Sequence, residues 1–215
     1  MSRDGSAKGA ILAAIRAANI RQPAPPPADD AWRHSLDLPR EGLVARLAER
    51  LADYGVGLTR LSRARAAQEG AIADAVAACL AAHDATSLIV PPGVPAAWRP
   101  PGIALTEDDG LLAHTAIDRI DAVLTGAACA IAESGSIVLD HRPDQGRRAL
   151  TVLPRVHVCV LDAADVVGLL PEALARLGTP RLLTFISGPS ATADIEFERV
   201  VGVHGPRFLE VVLTG

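Results

Sequence analysis

Residues 156–161, Val-His-Val-Cys-Val-Leu, make an apolar run too short for a helix and apolar on both alternating faces. A strand of that kind needs cover on both sides, as in a parallel sheet flanked by helices. Similar runs occur at 56–61, 86–90, 121–125 and 208–213. Stretches with helical spacing lie among them. Leu43, Leu47, Leu51 and Tyr54 share one helical face ahead of Gly55, a residue suited to ending a helix. Ile72, Val76 and Leu80 mark a second helix over 65–82. The alternation predicts an α/β fold with a mostly parallel sheet covered on both faces. From Ile131 onward strand-like pieces dominate, so the sheet is expected to be mixed, with an antiparallel portion.

The other elements follow from local signals. A helix is expected over 108–119, and strands at 103–105, 130–132, 136–140 and 182–186. Asp162 or Asp165 is placed to cap a helix running to Leu170, and Pro171 to start another that Gly178 ends. Residues 141–148 read as a polar loop punctuated by Pro143 and Gly146. At the N-terminus, Ile11, Leu12 and Ile15 give helical spacing over 5–19, and the proline-rich stretch 22–27 is an extended arm. The expected division is therefore 1–39, helix and arm, and 40–215, the α/β domain.

Charge and composition remove several function classes. The formal net charge is −4 and the aromatics are two Trp, one Tyr and three Phe. A nucleic-acid binder would show a basic stripe and stacking aromatics, so none is expected. No apolar run reaches the ~20 residues of a membrane-spanning helix, and Asp4, Arg16 and Arg21 interrupt any secretory signal. Cys79, Cys129 and Cys159 are far apart within apolar runs, which predicts buried free thiols in a cytoplasmic protein. No Walker A, GxGxxG or GxSxG pattern occurs.

Two stretches carry chemistry. In Glu133-Ser134-Gly135-Ser136, glycine permits positive φ or close approach of a ligand, the serines offer hydroxyls, and the carboxylate is a candidate base or nucleophile. A hairpin turn with a solvated glutamate explains the same residues. The second stretch holds Gly188, Ser190, Thr192, Asp194 and Glu196, followed by His204, Gly205 and Arg207. Ser190 or Thr192 is suited to cap a turn that holds an anion, and Arg207 to pair with a carboxylate or phosphate in fork geometry. Alternatively, Arg207 neutralises Asp194 or Glu196. The expectation is one pocket, with 188–207 and the Glu133 turn as its walls and His204 and Arg207 at its rim. His141, His157 and His204 lack metal-ligand spacing, so no metal is expected, and His157 reads as a core histidine.

These same residues resemble a known family. Ala130-Ile131-Ala132-Glu133-Ser134-Gly135-Ser136-Ile137-Val138, Leu153-Pro154 with Val156-His157-Val158, and the two segments 188–196 and 202–207 are similar, in that order, to the LUD-domain proteins typified by lactate utilisation protein C. The resemblance covers about 43–215. Serines 134 and 136 stand where the family usually has threonines, and Ala191 where many members have a basic residue. The resemblance implies a three-layer α/β/α fold similar to ribose-5-phosphate isomerase and the CoA transferases. It also implies an accessory or substrate-handling role in oxidising L-lactate to pyruvate beside iron–sulfur partner proteins, with a small carboxylate or phosphate-bearing ligand. The three cysteines lack cluster spacing, so the iron–sulfur clusters are expected in the partners and no cofactor in this chain. An alternative is a CoA or acyl transferase-like enzyme with Glu133 as nucleophile, because Glu133-Ser134-Gly135 resembles the Glu-x-Gly turn of some enzymes of that fold.

Overall fold

The computed structural model describes residues 7–19, 32–193, 199–201 and 205–215. The chain divides into two units, 1–33 and 34–215. The first contains α1 (Ala7–Asn19), which buries no side chain; the proline-rich stretch 22–27 lies outside the described residues.

The second unit begins with α2 (Arg40–Asp53), which buries Leu43, Val44, Leu47 and Leu51, as its spacing predicts. Gly55, at φ 71°, turns the chain so that Val56 N donates to Leu51 O and closes the helix. Then come β1 (Gly57–Leu61), the short α3 (Arg63–Ala66) and α4 (Ala71–Ala81). The single helix expected over 65–82 is split. Gly70 takes φ 77° at the start of α4, a left-handed conformation that a continuous helix excludes. After β2 (Ser87–Val90) and β3 (Ala104–Glu107), only α5 (His114–Ile117) of the helix expected over 108–119 forms. Asp109 explains the shortfall: its carboxylate accepts from Leu111 N and Leu112 N, a local bonding pattern that competes with helix.

Next are β4 (Ala122–Gly126), β5 (Cys129–Ile131), β6 (Ser136–Leu139) and β7 (Val156–Asp162). Asp162 does cap, accepting from Ala164 N, but only a 3-10 turn at Ala163–Asp165 that gives way to β8 (Val166–Val167). The expected helix to Leu170 is replaced by a strand because Val166 and Val167 pair with Ala130 and Ile131. α6 (Leu170–Leu177), β9 (Thr184–Ile186), β10 (Ala191–Ala193), β11 (Arg199–Val201) and β12 (Phe208–Thr214) complete the order.

Among the described residues, six strands form a sheet in the order β1-β12-β7-β4-β2-β3, every neighbouring pair parallel. A second sheet, β8-β5-β6-β9, is mixed: β6 runs antiparallel to both neighbours. The main sheet is covered on both faces. Val76, Cys79 and Leu80 of α4 pack on Leu124, Val158 and Val212. On the other face, α2 packs with Cys159, Leu161, Val211 and Leu213, and Ala130, Ile137 and Leu139 of the second sheet join that core. The fold is thus α/β in three layers, with the mostly parallel sheet in the middle.

This order creates a reversal point. From β2 the chain lays β3 on one side, then returns to lay β4, β7 and β12 successively on the other. The carboxyl ends of β2 and β4 are therefore neighbours whose following segments diverge. Such a crevice is where open α/β sheets hold ligands.

Candidate functional site

The Glu133 turn is the tip of the β5–β6 hairpin, and α2 carries it. Gly135 has φ 64°, and a Cβ there would stand 2.7 Å from Arg50 Cβ and 3.1 Å from Tyr54 Cε2. Glycine is therefore required for contact with the helix. Arg50 Nε donates to Glu133 O (3.1 Å), and Tyr54 OH donates to Ser134 O (3.2 Å). The Glu133 carboxylate is faced by Arg46 Nε at 3.3 Å and Arg50 Nη2 at 3.9 Å. An attacking carboxylate needs an unencumbered oxygen. Here one oxygen faces each guanidinium, and Oε2 is buried without a hydrogen-bond partner.

Hydroxyls link this turn to the second sequence stretch. Ser134 Oγ lies 2.8 Å from Ser136 Oγ, which lies 2.7 Å from Ser187 Oγ. Gly188, at φ 89°, lets the chain pass against Tyr54, where a Cβ would stand 2.9 Å from Tyr54 Cβ. Glu133, Ser134, Gly135, Ser136 and Gly188 are thus gathered around the end of α2. Ser190 N donates to Pro206 O (2.9 Å), and Gly205 lies against Ser190. Arg207 is exposed, with its guanidinium 5.4 Å from the centroid of the Phe208 ring. That places it at the amino end of β12, beside His83, whose ring stacks on Phe208 at 4.2 Å. Thr192 falls in β10. Asp194, Glu196 and His204, including the expected His204 rim, lie outside the described residues.

His157 is fully buried, with Nε2 2.8 Å from Thr125 Oγ1. Burial, reinforced by Arg148, lowers its pKa to about 4 and keeps it neutral. It is a core histidine. Burial likewise pushes the Cys79 and Cys129 thiols up to about 11 and Cys159 to about 12, so none is a reactive thiolate near neutral pH. The three sit in three different cores. Among the described residues, no group of three or more His, Cys, Asp or Glu side chains could hold a metal ion.

At the reversal point the structure assembles a region that periodicity does not single out, the loop joining β6 to β7. Its backbone is bonded to the carboxyl ends of both diverging strands. Gly93 N, just beyond β2, donates to Pro143 O (3.0 Å), and Gly126 N, ending β4, donates to Asp144 O (3.0 Å). The loop's own shape is set by Gln145, which is fully buried and accepts from Asp140 N (2.7 Å) and His141 N (2.9 Å). His141 takes φ 60°, uncommon for a residue with a Cβ, and its ring is held by Gly146 O and Thr184 Oγ1, each at 2.9 Å. Beside the loop opens a cleft of about 570 Å³ whose lining includes Glu107, Asp108, His141, Arg142 and Arg147. A second hollow of about 260 Å³ takes in Arg142, Asp144, Asp162 and Thr214. Burial raises the Asp144 pKa against the opposing pull of Arg142. The available sequence signal was the run of ionisable residues His141, Arg142, Asp144, Arg147 and Arg148 around Pro143 and Gly146, soon after an apolar strand.

A sequence model of the LUD domain matches residues 40–214. The chain is 44% identical to lactate utilization protein C of Deinococcus radiodurans over 182 residues, covering 83% of this chain and 82% of that protein. It is 37% identical over 94 residues to lactate utilization protein C of Anoxybacillus flavithermus, covering 42% of each. The crystal structure of a DUF162-family protein from Deinococcus radiodurans superposes with a TM-score of 0.68 at 37% identity, covering 83% of this chain and 99% of that one. A family match spanning nearly the whole second unit and 44% identity over most of both chains agree: the chain belongs to the LUD-domain family.

Proposed function

We propose that this chain takes part in L-lactate utilisation as an accessory or substrate-handling subunit beside iron–sulfur partners that carry the electrons. The observation that carries the reading is the 44% identity to a lactate utilization protein C across more than four-fifths of both chains. The chemistry of the chain supports a non-redox role. Its thiols are buried in separate cores, and an iron–sulfur cluster needs several thiolates converging on one point. The reading includes a small carboxylate or phosphate-bearing ligand, whose anion needs a cationic partner. At the Glu133 turn the nearby cations, Arg46 and Arg50, already face Glu133.

The test is anaerobic co-expression with iron–sulfur lactate-utilisation proteins from the same organism. The expected result is co-purification and a lactate-oxidation rate that depends on this chain. If the chain neither co-purifies nor changes the rate, the reading fails.

A further inference from the structure

Arg142 and Arg147 line the cleft beside the β6–β7 loop, and each is held by a carboxylate and a backbone carbonyl. Arg142 donates through Nε to Asp140 Oδ1 (3.0 Å) and through Nη2 to Ala127 O (3.0 Å). Arg147 donates through Nε to Asp108 Oδ2 (3.0 Å), and through Nη2 to Asp108 Oδ1 (2.9 Å) and Leu112 O (2.7 Å). Asp108 is only 5% exposed, so the Arg147 fork is firmly seated. None of these contacts uses Nη1 of either arginine. A guanidinium already held on one side loses little further freedom when its remaining N–H groups meet an anion.

Each acid lining the cleft already has a bonding partner. Asp108 is taken by Arg147, Glu107 pairs with Arg99 (2.8 Å), and Asp109 accepts from the backbone N–H of Leu111 and Leu112. His141 donates from Nδ1 to the Gly146 carbonyl, which has no proton to give, and its Nε2 is bonded to Thr184 Oγ1. The cleft adjoins the carboxyl ends of β2 and β3, one strand away from the β2–β4 reversal.

We propose that this cleft is an oxyanion-binding site in which Nη1 of Arg142 and Nη1 of Arg147 receive the carboxylate or phosphate of a small-molecule ligand. At about 570 Å³ the cleft has room for a ligand larger than a three-carbon acid. The site rests on the lactate-utilisation reading only for its first probes.

The test is thermal unfolding of the full chain with L-lactate, with pyruvate and with inorganic phosphate, each titrated separately. At least one probe raises the wild-type midpoint. Arg142→Gln weakens that probe's binding by about tenfold or more, the loss expected for a charge-assisted contact. Arg147→Lys, which keeps a cation beside Asp108 but removes the fork, does the same. Arg60→Gln, an exposed arginine on β1, leaves binding unchanged. A shift with lactate or pyruvate identifies a carboxylate ligand, and a shift with phosphate alone identifies a phosphate-bearing one. If no probe stabilises the wild type, or if Arg142→Gln and Arg147→Lys bind as the wild type does, the proposal is overturned. Phosphate binding without any effect of the chain on lactate oxidation would leave the site standing and defeat the functional reading. An effect on lactate oxidation with unchanged binding in both variants would do the reverse.

Discussion

Asp144 occupies the space in which a side chain on Gly126 would stand: a Cβ at 126 would lie 2.1 Å from Asp144 Oδ2, while the Gly126 amide donates to the Asp144 carbonyl. Strand end and loop are thereby fitted to each other at the centre of the sheet. Gly93 meets the same loop from β2, where a Cβ would lie 2.4 Å from the carbonyl carbon of Pro143 and 2.5 Å from Asp144 N. The two glycines differ in what must yield. At Gly126 it is the end of a side chain, and at Gly93 it is backbone. Gly93→Ala is expected to cost about 2–4 kcal/mol and Gly126→Ala about 1 kcal/mol, in line with overpacked sites. Urea unfolding of the two variants checks the order, and equal costs would count against it.

The hydroxyl chain at the Glu133 turn is centred on Ser136, which is 5% exposed and bonded on both sides, whereas Ser134 is exposed. Ser136→Ala is expected to cost about 1–2 kcal/mol and Ser134→Ala about 0.5 kcal/mol or less. Chemical denaturation measures both. The result to look for is the ratio, since Ser136→Ala breaks both hydrogen bonds of the chain and Ser134→Ala only one.

His157 makes the fold sensitive to mild acid. Its pKa is about 4 in the folded state against an ordinary 6.5, because burial disfavours the charged ring. Between those values the unfolded chain binds a proton that the folded chain does not. This contribution is therefore complete above pH 6.5 and is lost as pH falls towards 4. Its full size is on the order of 3 kcal/mol. His157→Gln is expected to flatten the stability profile from pH 6.5 to 4.5, read from urea midpoints; an unchanged slope would remove His157 as the cause.

Asp121 acts at lower pH. Burial pushes its pKa up, but donors from Thr86 and Ser87 outweigh that and bring it from 3.8 to about 2. A depressed carboxyl stabilises the fold above its unfolded value and loses that contribution as pH falls through about 4 to 2. Asp121→Asn is expected to be less stable at pH 7 and to lose less on acidification in this window. Circular dichroism during acid titration distinguishes the two chains.

The sheet and α2 were legible because each is written in local periodicity. Leu43, Leu47 and Leu51 repeat at helical spacing, and residues 156–161 are apolar on both faces, as burial requires. Errors fell where a local hydrogen bond or a distant strand competes with periodicity. Asp109 diverted the expected helix at 108–119, Gly70 divided the one at 65–82, and the demand of β5 for a partner drew Val166 and Val167 into a strand.

The candidate sites divide along the same line. The Glu-Ser-Gly-Ser turn and the Gly-Pro segments are contiguous motifs, so the sequence alone determined the fold class, the family and the glycines that let the turn form. It did not determine that Arg50 meets Glu133 from 83 residues away, that Ser136 reaches Ser187, or that Asp108 holds Arg147 across 39 residues. Those contacts follow from strand order. With β4 laid back beside β2, the loop after β6 is bonded to both strand ends and two of its arginines are fixed at one cleft. Periodicity specifies which face of an element is buried, while only the closed sheet decides which distant side chains meet at its edge.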